Sequence, residues 1–280
     1  MSSADFMDVP QLATPPSSPR VARFWHRETA EKEPSTWRYA ALIVSTQMGR
    51  DTTFESVVAC DADSMDDATF QADFAERLAG LPSVEAVMLG GSRALGMHGP
   101  DSDWDFAIYY RGMFEPQRLR DCGWEGVVSE IGGWGGGVMN GGAWLNVDGR
   151  RVDVHCRDLD EVEYWCAEAK AGRFKKELLL FYVAGIPTYV LMGELATGVV
   201  LSGVLPKPDY PEALGREALR RWTTDSVLSL GSAVSALRSR GDVVVGLSNA
   251  GRALIERAHA VLASRGYWVL NEKGIADQAG

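Results

Sequence analysis

The chain of 280 residues predicts an α+β protein, a mixed β-sheet with helices on one face followed by a C-terminal helical bundle. Three observations lead there. Between residues 66 and 171, short strand-like apolar runs alternate with amphipathic helical stretches. Two of those strands carry aspartates among alternating apolar residues, which demands one packed face and one open face. From about residue 173 the strand pattern gives way to long helical periodicities. The expected organisation is an extension over 1–64, a sheet domain over 65–172 and a helical domain over 173–280. An apolar content of 46% supplies a substantial core.

Taken in order, the extension holds Ala13-Thr14-Pro15-Pro16-Ser17-Ser18-Pro19, a composition that buries too little to order itself. It also holds one short apolar run, Tyr39 to Val44, and no catalytic pattern, so it reads as partly disordered or loosely packed. Ser64-Met65-Asp66-Asp67 resembles a helix start with an acidic first turn. Phe70, Phe74 and Leu78 then form an apolar stripe flanked by a solvated Arg77, and Gly80 closes the helix. Strands are expected near 84–89 and 103–110, a helix near 115–121, strands near 125–131 and 143–156, and a helix near 158–171. Leu178 to Gly193 is apolar and uncharged but too short to span a membrane, and reads as a buried helix pair broken at Gly185-Ile186-Pro187. Leu219, Trp222, Val227, Leu230, Val234 and Leu237, and then Leu247, Gly251, Leu254, Ala258 and Val261, mark the helices of the bundle. A bundle beside the sheet makes a cleft, the usual place for a small ligand.

The chemistry concentrates in Val87-Met88-Leu89-Gly90-Gly91-Ser92-Arg93 and Asp101-Ser102-Asp103-Trp104-Asp105-Phe106. The first strand runs into a Gly-Gly-Ser turn that offers amides and a hydroxyl to a phosphate. The second places Asp103 and Asp105 on one face, with Trp104, Phe106 and Ile108 on the other. Paired carboxylates repel each other unless a cation lies between them, and oxygen donors suit Mg²⁺. Downstream, Asp148-Gly149 is a two-residue hairpin turn that sets Trp144 opposite Asp153 and puts Arg151, Asp153 and His155 on one face. Asp153 is the candidate third acid, and Glu130 competes for the same role. The glycine-rich Gly132 to Gly137 fits a hairpin tip better than a phosphate loop.

These motifs resemble the nucleotidyltransferase superfamily, whose fold is that of the DNA polymerase β catalytic domain. The closest likeness is to bacterial antibiotic nucleotidyltransferases and small stand-alone nucleotidyltransferase-domain proteins. Gly91-Ser92 matches the family turn, Asp103-x-Asp105 the metal pair and Asp153 the third acid. The resemblance implies a nucleotidyl-transfer enzyme that releases pyrophosphate. Asp103, Asp105 and Asp153 would be its catalytic and metal-binding residues, with two Mg²⁺ ions. Gly91, Ser92 and Arg93 would bind ATP or another NTP. For Arg93 a salt bridge to the fold's own acids is the equal alternative. The expected acceptor is a hydroxyl of a small, cationic, aminoglycoside-like molecule, which would make the protein an antibiotic-resistance enzyme. The alternative is a regulatory, antitoxin-type nucleotidyltransferase acting on a protein or RNA end.

A net charge of −10 argues against a polynucleotide substrate and accords with a cationic acceptor. The four cysteines lack Cys-x-x-Cys spacing and read as reduced, buried thiols. Among the four histidines, His26 lies in the extension and His98 in the loop before the acid pair; His155 shares a face with Asp153 and His259 falls in a helical pattern. The crowded Asp158, Asp160, Glu161 and Glu163 read as acids at a helix start. Lys273 reads as a solvated tail lysine, with a triphosphate contact as its alternative. Neither a signal peptide nor a membrane span is visible, so the expected location is cytoplasmic. The pattern leaves oligomeric state open.

Overall fold

A computed structural model describes residues 66–135 and 137–280. The expectations for residues 1–64, with His26, Cys60 and the run from Tyr39 to Val44, lie outside the described residues. Helix α1, Asp67–Ala79, starts where Asp66 accepts the N–H groups of Ala68 and Thr69, each at 2.9 Å, and ends at Gly80. Its Phe70, Phe74 and Leu78 are buried as their spacing predicts. Strand β1, Val84–Leu89, leads through the short helix α2, Gly91–Ala94, to β2, Trp104–Tyr110. Helix α3, Gln117–Arg120, precedes β3, Glu125–Val128, and the hairpin of β4, Gly142–Val147, and β5, Arg150–Asp158. Trp144 pairs with Asp153 across that hairpin, in the expected register. Helix α4, Leu159–Lys170, is capped by the Asp158 carboxylate.

The run after α4 departs from expectation. Instead of a helix pair, Lys176–Glu177 (β6) pairs antiparallel with Ile186–Pro187 (β7). Gly185 sits at φ +93, where a Cβ would crowd the Glu177 carbonyl, and this turn excludes a helix. Only the end of the run, from Val190 to Gly193, is helical, as the start of α5, Val190–Thr197. Strand β8, Val199–Ser202, then joins the edge of the main sheet beside β1. The sequence pattern concealed it because its side chains are exposed or half-buried rather than core-forming. Helices α6, Glu212–Ser235, and α7, Val243–Ser264, pack as an antiparallel hairpin joined through a π-helical turn at Ala236–Arg240. A last short helix, α8, is Ile275–Ala279.

The main sheet of the described residues has the order β3-β4-β5-β2-β1-β8. The β2–β5 pair is parallel and the others are antiparallel, so the sheet is mixed, as expected. It draws β8 from beyond residue 172, and Asp63–Gly280 forms one compact unit. On one face α1 covers Val87, Leu89, Trp104, Phe106, Ile108, Val152 and Val154. Helices also reach part of the second face. Ala86, Met88, Ala107 and Tyr109 on the second face are apolar, and α4 and α5 cover them with Leu159, Val162, Trp165, Val190, Leu191 and Leu195. That face stays open only where its side chains are acidic.

Candidate active site

The parallel pairing of β2 with β5 sets Asp105 directly beside Asp153, and both point to the open part of the second face. Asp103 lies one residue before β2. A cavity of about 440 Å³ is lined by these three acids with Gly91, Ser92, His155, Arg157, Tyr182, Glu194, Asn271 and Lys273, among others. Glycine is required at 91 on two grounds. Its φ is +61, and a Cβ there would collide with the Asp105 carboxylate. The turn is thereby drawn against the acid pair, and the Gly90 N–H donates to the Asp105 carbonyl at 2.7 Å.

Burial, followed by the charges of Asp105 and Asp103, pushes the Asp153 carboxyl up to about 7. Burial and the neighbouring Asp103 raise Asp105 as well. Asp103 is more exposed and ion-pairs with Arg151. The floor of the cavity is a buried ion pair: Arg157 donates to the two carboxylate oxygens of Glu194 at 2.8 and 2.6 Å and to the Val138 carbonyl at 2.7 Å. Burial and then Arg157 lower His155 to about 3, so its imidazole is neutral at physiological pH and wedged edge-on against Trp134.

Arg93 is not in this cavity. Its guanidinium lies 3.9 Å over the Trp104 ring and donates to Asp67 and to the Ser102 carbonyl, each at 3.0 Å. Of its two expected roles, the structure shows the salt bridge to the fold's own acids. Glu130 is exposed and held by Arg120 at 2.6 Å, away from the lining residues. The acids after β5 are likewise remote: Asp160 and Glu163 pair with Arg111. His98 is exposed and lines nothing in the cavity. Cys156 is buried, but Cys122 and Cys166 are only half-buried; all three are free thiols. Sequence reasoning missed Glu194, Tyr182 and Arg157 as lining residues. The one available signal was Arg157 on the same alternating face as Asp153 and His155.

Among the described residues, no three His, Cys, Asp or Glu side chains are already gathered as a metal shell, since Asp103 is turned to Arg151. The donor chemistry of the other two fits a hard divalent cation. Asp105 and Asp153 are adjacent oxygen donors, half-buried and mutually repelling, beside a polar opening.

Residues 72–135 match the family model described as "Nucleotidyltransferase domain". That segment contains Gly91, Ser92, Asp103 and Asp105 and stops short of Asp153. The match falls in the superfamily that the motifs resemble. Among solved structures, it is similar to a nucleotidyltransferase-like protein from Exiguobacterium sibiricum 255-15, at 14% identity and a TM-score of 0.36. The alignment covers 75% of this chain and 61% of that one, so the chain spans about three-fifths of its neighbour's length. No curated protein matches. Among the described residues, no helix is long and apolar enough to cross a membrane.

Proposed function

We propose that this protein transfers a nucleoside monophosphate, AMP from ATP, to a hydroxyl of a small molecule. The observation that carries the reading is the juxtaposition of Asp105 and Asp153 on parallel strands with Gly91 and Ser92 in one cavity. In the reaction the acceptor oxygen forms a bond to the α-phosphorus, and the bond from that phosphorus to the bridging oxygen breaks. Pyrophosphate leaves with the electron pair, and Asp153 takes the hydroxyl proton. Asp105 and Asp153, with Asp103, would hold two Mg²⁺ ions. Bound there, Mg²⁺ supplies charge neutralisation at the phosphates and a lowered pKa for the attacking hydroxyl. Ser92 and the amide of Gly91 bind the phosphates, and Asp101 in the lining favours a cationic, aminoglycoside-like acceptor.

The second reading, a regulatory nucleotidyltransferase that modifies a protein, has one observation in its favour. Val227, Leu228, Leu230, Val243, Val244 and Leu247 on the α6–α7 hairpin are all more than half exposed, as befits a surface that meets another macromolecule. The test is pyrophosphate release from each NTP with Mg²⁺, in the presence of an aminoglycoside and lincosamide panel. Release that depends on one acceptor supports transfer to a small molecule. Release with none of the panel, but labelling of a protein, moves the assignment to the second reading.

A further inference from the structure

With Arg93 committed to Asp67 and Trp104, the cavity must draw its positive charge from elsewhere. Its lining contains one arginine and one lysine. Arg157 is spent on Glu194 and the Val138 carbonyl. Lys273 is exposed and, among the described residues, makes no ion pair. Of the cations, it acts most strongly on both Asp105 and Asp153, opposing the rise that burial imposes on them. A cation that shares a cavity lining with the turn at Gly91-Ser92 attracts an anion to it.

The backbone that carries Lys273 is fixed on both sides. Before it, the Glu272 carboxylate accepts the N–H groups of Val183 and Ala184 at 2.6 and 2.8 Å. This joins the C-terminal segment to the loop that brings Tyr182 into the cavity. Val269, and Ile275 and Ala279 after the lysine, are buried against Ala258 and Leu262 of α7. The Lys273 N–H donates to the Asn271 side chain at 2.9 Å, and Gly274, at φ +61, turns the chain into α8. The side chain is free while its root is held.

We propose that Lys273 is the cation that binds the β- and γ-phosphates of the nucleotide, across the cavity from Ser92, and that Glu272 is the positioning residue that fixes it there. The assignment rests on the nucleotidyl-transfer reading and supplies the phosphate contact that Arg93 does not make. It also gives the C-terminal segment a part in nucleotide binding, beyond the stretch that matches the family model.

Titration calorimetry of the full chain with Mg²⁺ tests this, using ATP, AMP and tripolyphosphate as probes. Lys273→Gln should weaken ATP and tripolyphosphate by about tenfold or more, the loss expected for a charge-assisted phosphate contact. AMP, which lacks the outer phosphates, should change by less than about twofold. Lys273→Arg should restore most of the ATP affinity. Glu272→Gln should weaken ATP and tripolyphosphate but not AMP. Unchanged ATP affinity in Lys273→Gln, or equal losses of ATP and AMP, would overturn the assignment. Selective loss in Lys273→Gln with none in Glu272→Gln would remove the positioning role. A wild-type chain that does not bind ATP would instead overturn the functional reading on which the assignment rests.

Discussion

The two faces of β2 carry different chemistry on one strand. Toward α1, Trp104, Phe106 and Ile108 are sealed at 3%, 0% and 0% exposure, and the Phe74 and Phe106 ring centroids lie 4.8 Å apart. On the other face Asp105 opens into the cavity, while two and four residues further on Ala107 and Tyr109 are again buried. The first face is specified by volume, the second by volume at one end and charge at the other. Removing volume from the α1 face should cost folding stability and leave the chemistry of each folded molecule intact. Removing charge at the open end should do the reverse, because the mutual repulsion of half-buried carboxylates is itself unfavourable.

The largest effect is expected at the acid end. Asp153→Asn should lower kcat about 10²- to 10⁴-fold while nucleotide Kd changes by less than about tenfold, because a proton acceptor acts mainly in the transition state. Glu130→Gln, exposed and bound to Arg120, is the matched control and should leave kcat unchanged. A larger loss in Glu130→Gln would move the third acidic role off β5.

Next comes the packed face. Phe106→Ala should cost about 3–5 kcal/mol in denaturant unfolding, the range for a buried aromatic truncated to a cavity. Turnover per folded molecule should persist. Loss of turnover in fully folded Phe106→Ala would break the separation of the two faces.

Arg93 sits at the junction, on the turn that faces the site but with its side chain on the core side. Arg93→Ala should cost about 1–3 kcal/mol through the lost Trp104 stacking and hydrogen bonds. Its ATP affinity should stay within about twofold of wild type. A selective fall in ATP affinity would return Arg93 to the phosphates.

The smallest effect on catalysis is expected at a control away from the sheet. His259 stacks on Trp222 with ring centroids 4.2 Å apart, and both its ring nitrogens lack a partner among the described residues. Burial, and then Lys176, lower it from 6.5 to about 3. The unfolded chain therefore takes up this proton first, and the stability that neutral His259 contributes is present above pH 6.5 and is lost as pH falls toward 3. His259→Phe, which keeps the stack and forfeits no hydrogen bond, should flatten that part of the stability profile. It should leave pyrophosphate release unaltered.

What the sequence made legible follows the reach of its patterns. Period-four spacing located α1, and Asp148-Gly149 fixed the β4–β5 register to the residue. Alternation along β2 separated Asp105 from Trp104 and Phe106. These are local rules, each settled within a dozen residues. The arrival of Glu194, Asn271 and Lys273 beside Asp105 depends on how α5 and the C-terminal segment pack, and no local period encodes that. Strand β8 escaped notice because an edge strand with half-exposed side chains lacks a core signature. Leu178 to Gly193 misled for the opposite reason. Its composition is that of a buried helix, but Leu178, Leu180 and Phe181 are 77%, 69% and 62% exposed around a turn fixed by Gly185.

The central claim is that Asp105 serves chemistry while the residues on either side of it in β2 serve the core. The most direct test measures Mg²⁺-dependent pyrophosphate release from ATP by the wild type and by Asp105→Asn, with the acceptor found by the panel, beside each protein's melting temperature. Release in Asp105→Asn should fall at least about 10³-fold, as expected when a residue acting in the transition state is removed, with no drop in melting temperature. Retained release together with a melting temperature several degrees lower would make Asp105 a structural acid and contradict the account.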